Sequence, residues 1–178
     1  MNNIFLLLMF LLVIILMLLS LVIGSFGVSI LFGAPFVATK QKMMEKAFVK
    51  AGLKEGQSVT DIGCGDGSVL LAARKSGAGK LVGYEINPIL AYIARFRLRG
   101  GNVTISRENM FNSSLEKTDV IFMYLFPKAV DRLRAPLSKL PQTTRVISRG
   151  FPFTGVIPMR SFKVDGSTFY IYHVKDLA

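Results

Sequence analysis

The chain has 178 residues with a single cysteine, a single histidine and a formal net charge of +11. Its length suits one domain, the lone Cys64 excludes an internal disulfide, and the lone His173 leaves no plausible ligand set for a metal. Hydrophobic residues make up 51% of the chain but are unevenly spread: no charged side chain occurs from Met1 to Thr39, so all 22 basic and 11 acidic residues lie beyond it.

Ile4 to Ile23 is a run of twenty apolar residues interrupted only by Ser20. As a helix it spans about 30 Å, the thickness of one hydrocarbon core. A secretory signal has a basic start and a shorter apolar stretch, so a retained anchor is expected, with a cleaved signal and a buried core helix as alternatives. Gly24 to Phe36 stays apolar and either lengthens the helix or lies at the interface. Lys40, Lys42 and Lys46 follow, which by the positive-inside rule puts the remainder on the cytoplasmic side. The expected division is an anchor and interfacial segment over 1–36 and a soluble domain over 37–178. The basic charge of that domain suits anionic headgroups, at about 1 kcal/mol per basic residue near the surface. No basic run with interleaved aromatics points to nucleic acid.

Thr39 to Ala51 predicts a helix capped by Thr39, with Met43, Met44, Ala47 and Phe48 on its apolar face. Val59–Ile62 is the first strand. Gly63, Gly65 and Gly67 form a loop, and Ser68–Lys75 is the helix behind it. Leu81–Glu85 is the second strand. Strand, glycine loop and helix, with Glu85 eighteen residues after Gly67, form a nucleotide-type site at the carboxyl edge of a parallel sheet. Glu85 can accept hydrogen bonds from both hydroxyls of a ribose. The spacing is not the dinucleotide fingerprint, and Asp61 and Asp66 would repel a pyrophosphate. They suit a ligand with a cationic end, such as S-adenosylmethionine; a dinucleotide site and a purely structural turn are the alternatives. Cys64, inside the loop, reads as a small filler rather than a nucleophile.

Asn87-Pro88 opens a helix over Ile89–Leu98, followed by a third strand at Val103–Ser106. The connection Arg107–Thr118 is too short and polar for a full crossover helix. Asp119–Leu125 is the fourth strand, Lys128–Leu140 a helix, and Thr144–Ser148 the fifth strand. Phe151–Pro158 is a loop, and Ser161–Val164 with Thr168–Val174 form a hairpin around Asp165-Gly166. The alternation predicts a doubly wound α/β sheet with an antiparallel last strand, reversed at the sheet edge, and without an inserted substrate domain.

Three stretches carry a resemblance: Pro35 to Gln41 directly after the apolar segment, Asp61 to Gly67, and Gly83-Tyr84-Glu85-Ile86-Asn87-Pro88. The loop Arg149-Gly150-Phe151-Pro152-Phe153 adds to it. The sequence resembles the seven-β-strand lysine methyltransferases that act on the ATP synthase c subunit and the mitochondrial adenine nucleotide translocase, with their small membrane-anchored prokaryotic relatives. The resemblance implies a class I, Rossmann-like methyltransferase sheet, S-adenosylmethionine as donor with S-adenosylhomocysteine as product, no metal, and a protein lysine as acceptor. Asp61, Gly63 and Gly65 would line the methionine end and Glu85 the ribose, with Cys64, Asp66, Ile86 and Met110 among the donor contacts. Asn109 falls where the family usually has an aspartate facing the adenine amino group. Cys64 and Ser68 depart from the usual Ser and Arg.

Methyl transfer to an amine needs nitrogen, carbon and sulfur in line and the amine free of its proton. Burial against aromatic groups lowers an amine's pKa. Tyr124 and Phe126 follow the fourth strand, Phe151 and Phe153 could form the opposite wall, and Thr39 and Lys40 close from the anchor side. Tyr124, Phe126 and Phe151 are therefore the candidate catalytic residues. A lipid or quinone-like acceptor, and a non-catalytic donor-binding scaffold, remain as further readings.

Overall fold

In the computed structural model, residues 3–31, 37, 39–111, 115 and 117–177 are described. Parts of two sequence expectations lie outside them: residues 32–36 and Ala38 of the post-anchor stretch, and residues 112–114 and 116 of the connection before the fourth strand.

Helix α1 (Asn3–Leu31) continues the apolar run through Gly24 and Gly27. Its segment Asn3–Gly24, 22 residues without a charged side chain, is not buried against the rest of the protein, so by length and composition it can cross a membrane. Helix α2 (Gln41–Lys50) buries Met43, Met44, Ala47 and Phe48, the four residues of its predicted apolar face. Thr39 is not its cap. Lys40 occupies that position without a side-chain cap bond, since the helix starts at Gln41, and the Thr39 hydroxyl donates to the Val37 carbonyl instead.

The sheet has seven strands: β1 (Ser58–Ile62), β2 (Lys80–Tyr84), β3 (Val103–Ser106), β4 (Val120–Met123), β5 (Arg145–Arg149), β6 (Arg160–Val164) and β7 (Ser167–His173). Their order is β3-β2-β1-β4-β5-β7-β6, with the first five parallel and β7 antiparallel to both neighbours. The reversed strand lies one place in from the edge rather than on it. Burial explains this: β7 has the apolar core residues Phe169, Ile171 and Tyr172, whereas β6 is mostly exposed and suits the rim. The hairpin turns where expected, with positive φ at both Asp165 and Gly166, as a two-residue primed turn requires.

Helices α3 (Ser68–Lys75) and α4 (Pro88–Arg97) pack with α2 on one face of the sheet, around Leu70, Leu98, Phe122 and Phe169. On α4 the Asn87 side chain accepts from the Ile89 and Leu90 amides, and Pro88 takes the first turn. The other face is covered by α5 (Pro127–Arg132), α6 (Arg134–Leu137) and a closing 3-10 turn (Val174–Leu177), around Ile121, Met123, Leu133 and Tyr172. The single helix expected over 128–140 is thus two short ones. Pro136 lacks the N–H that a continuous helix would direct at the Arg132 carbonyl. Within β4, Val120 and Phe122 face one layer and Ile121 and Met123 the other, the period of two that a buried strand imposes.

Candidate donor-binding site

The order in which the parallel strands are laid down reverses between β1 and β4, which opens a crevice at the carboxyl edge of the sheet. Register sets what lies there. Ile62 pairs with Tyr84 on one side and Met123 on the other, and Met123 pairs with Ser148. The next residue of each strand, Gly63, Glu85, Tyr124 and Arg149, therefore stands at the same edge. A solvent-open cleft of about 540 Å³ forms there, lined by Asp61, Gly63, Cys64, Gly65, Asp66 and Glu85, with Thr39 and Tyr124.

The glycine loop is held by the strand beside it. Gly63 and Cys64 amides donate to the Tyr84 carbonyl at 2.9 and 3.0 Å. The Gly65 amide donates to Glu85 Oε2 at 2.9 Å, and the Asn87 amide donates to Glu85 Oε1 at 2.8 Å. Cys64 is buried against β2 where Gly83 has no side chain; a Cβ on Gly83 would lie 2.7 Å from the Cys64 sulfur. Burial, then the Asp61 and Glu85 charges, push the Cys64 thiol well above its usual range. It packs as a neutral thiol.

The three carboxylates of the cleft differ in their partners. Asp66 forms an ion pair with Arg97 from α4, and its oxygens accept from the Ser68 amide at 3.1 Å and the Ser68 hydroxyl at 3.0 Å. Glu85 is raised by burial, offset by its backbone donors. Asp61 is 2% exposed and its Oδ2 has no hydrogen-bond partner. Burial first, then Glu85 and Asp66, hold its carboxyl well above the usual carboxylate range. A buried carboxylate left open toward a cleft wants a cation. The sequence assigned that role jointly to Asp61 and Asp66; the Arg97 contact neutralises Asp66 and leaves Asp61.

This chemistry fits S-adenosylmethionine. Asp61 would hold its ammonium end. Glu85, with lone pairs left on both oxygens, would take the ribose hydroxyls.

Other expected site residues are not among those that line this cleft. Lys40 is exposed, and Ile86 lies outside the cleft lining. Asn109 accepts from the Phe111 amide at 3.0 Å, and Met110 is buried in the core of the α5 face. Phe126 is 44% exposed, and Phe151 and Phe153 pack in the α5-side core. None of these lines the cleft. Its wall instead includes Val37, Val69, Leu90 and Phe122. Leu90 and Phe122 are buried hydrophobic residues, and periodicity alone does not separate a core residue from one at a cleft floor.

The chain is similar to known proteins in sequence and fold. The model of the ANTKMT methyltransferase domain family matches residues 61–160. A protein-lysine N-methyltransferase of Saccharolobus islandicus is 32% identical over 78% of the chain and 92% of its own length. The adenine nucleotide translocase lysine N-methyltransferase of Mus musculus is 31% identical over 70% of the chain, which spans 56% of that relative's length. The crystal structure of an RNA methyltransferase from Salinibacter ruber in complex with S-adenosyl-L-homocysteine superposes with a TM-score of 0.71 at 28% identity, over 78% of the chain and 94% of that structure.

Proposed function

Because the chain belongs to the ANTKMT methyltransferase domain family and is an S-adenosylmethionine-dependent methyltransferase, we propose that it is a membrane-anchored protein-lysine N-methyltransferase acting on a membrane protein close to the cytoplasmic face. The observation that carries the donor assignment is the buried, unpartnered Asp61 oxygen beside the glycine loop. The lysine acceptor is supported by the Saccharolobus islandicus relative, which is matched over nearly its whole length. The membrane setting is supported by the apolar Asn3–Gly24 segment and by the basic charge beyond it.

When bound, the donor supplies a methyl group activated on sulfur. The chain's part is positional. Asp61 and Glu85 orient the donor from two strands, and the Gly65 amide fixes Glu85. Tyr124 walls the edge of the cleft at the end of β4. The Arg149 guanidinium lies 4.3 Å from the centre of the Tyr124 ring, so that ring face is taken and an acceptor ammonium does not bind there. The acceptor enters as the free amine, with its proton given to water. A chain of charge +11 repels a cationic acceptor; confinement of enzyme and substrate to one membrane offsets this by raising effective concentration.

The test is methyl transfer from tritiated donor, using the full chain and membranes of its own source, followed by separation of protein, lipid and RNA. Label in a protein band, lost with Glu85→Ala, supports the proposal. Label in lipid alone favours a lipid or quinone-like acceptor, and label in RNA alone an RNA acceptor. Either outcome rejects the lysine reading.

A further inference from the structure

Arg149 ends β5 next to the cleft but does not line it. Its side chain reaches three separate parts of the chain. One face stacks on Tyr124. Nη1 donates to the Thr39 hydroxyl at 3.1 Å, and Nη2 donates to the Ser167 hydroxyl at the start of β7, also at 3.1 Å. The Thr39 hydroxyl directs its own proton to the Val37 carbonyl at 3.3 Å. Its donor and one lone pair are thus both used, and Val37 is drawn into the same chain of bonds. Val37, Thr39 and Tyr124 all line the cleft.

The next residue supports the same ring. Gly150 has φ 81°, and a Cβ there would lie 3.2 Å from Tyr124 Cε2. The Gly150 amide donates to the Thr168 carbonyl at 2.8 Å, which ties this turn to β7. Tyr124 is therefore held by Arg149 and approached closely by the Gly150 backbone. The segment containing Thr39 has no helix cap of its own to hold it.

We propose that Arg149 is a positioning residue that fastens Thr39, and through it Val37, to Tyr124 as one wall of the donor cleft. This rests on the reading of that cleft as the donor site. The planar fork of arginine serves two hydroxyls on different elements while its face stays on an aromatic ring; a lysine ammonium can bond but cannot stack in the same way. Donor retention then depends on a contact outside the binding residues themselves.

The experiment uses the full chain in detergent, with S-adenosylhomocysteine as the probe. Calorimetry measures affinity, and hydrogen exchange follows the amides of residues 39–44. Arg149→Met should weaken binding by about tenfold, as expected for loss of a charge-assisted hydrogen bond and a stacked face, and should speed exchange in that segment. Arg149→Lys should recover part of the affinity. Thr39→Val keeps the shape and removes only the hydroxyl, so it serves even if Arg149→Met folds poorly. It should reproduce the faster exchange, and the double variant should lose little more than either single one. Wild-type exchange and affinity in Thr39→Val and Arg149→Lys, or losses that simply add in the double variant, would overturn this positioning role. Failure of the unsubstituted protein to bind the probe would instead reject the donor site.

Discussion

The Glu85 carboxylate accepts the Gly65 backbone N–H at 2.9 Å, so the end of the second strand holds the glycine loop that follows the first. The same side chain accepts the Asn87 amide at 2.8 Å. Glu85 is thus a brace as well as the proposed ribose ligand. Glu85→Ala should abolish measurable donor binding. It should also lower stability by about 1–3 kcal/mol, the cost of leaving buried donors unpaired. Calorimetry and urea denaturation read the two effects separately. Weak binding with unchanged stability would show that the brace contributes nothing.

Asp61 makes a prediction with an unusual sign. Its carboxyl is held well above the usual value of 3.8. The folded protein then binds that proton more tightly than the unfolded chain. Stability from this group is greatest below the unfolded pKa and falls as pH rises through the interval up to the folded pKa. Asp61→Asn should therefore stabilise the ligand-free protein at pH 7 by about 1–3 kcal/mol, and the gain should vanish in acid. The same change should weaken donor binding. Thermal denaturation of both proteins from pH 3 to 8 tests it, and a destabilised Asp61→Asn variant at neutral pH contradicts it.

Gly83 gives a packing prediction. A methyl group there would meet Cys64 Sγ at 2.7 Å, Ile105 Cδ1 at 2.8 Å and Leu70 Cδ1 at 3.0 Å. Gly83→Ala should cost about 1–3 kcal/mol, typical of overpacking, and should displace the glycine loop. Adding Cys64→Ala removes the nearest clash and should return part of the stability. Equal stability of Gly83→Ala and the double variant would argue against the contact. Cys64→Ala alone should keep methyl transfer, since the thiol is a packing group.

At Tyr124 the ring, rather than the hydroxyl, forms the wall beneath Arg149. Tyr124→Phe should stay within a few-fold of the unsubstituted rate, and Tyr124→Ala should lose on the order of 10²-fold, as misplacement near a reacting centre does. Initial-rate kinetics decide between them. A Tyr124→Phe variant as slow as Tyr124→Ala would move the role to the hydroxyl.

The strands, the glycine loop and the helix faces were legible because each follows a local period or a turn with fixed residue types. Met43, Met44, Ala47 and Phe48 announce one buried face, and Asp165-Gly166 announces a hairpin. The aspartates of the loop also announced a cationic ligand. What sequence does not reveal is pairing across the fold. Arg97 lies 31 residues from Asp66, and nothing local predicts that it neutralises that carboxylate. Arg149 lies 110 residues from Thr39, so Thr39 read as a helix cap. Phe126 and Phe151 read as an acceptor wall because they follow strand ends; in the structure Phe126 is exposed and Phe151 packs, partly buried, against the α5-side core, and neither is among the residues lining the cleft. An aromatic after a strand can face either way, and only the packed layers decide.

Transfer of a methyl group from this cleft to a lysine side chain, as proposed, leaves its record on the acceptor. Its most direct test is the identity of the labelled residue. The full chain is incubated with tritiated S-adenosylmethionine and membranes of its own source, and the labelled protein is digested and sequenced by mass spectrometry. Label is expected on the side-chain nitrogen of a lysine, absent with Glu85→Ala. Label on any other residue type, or confined to lipid or RNA, contradicts it.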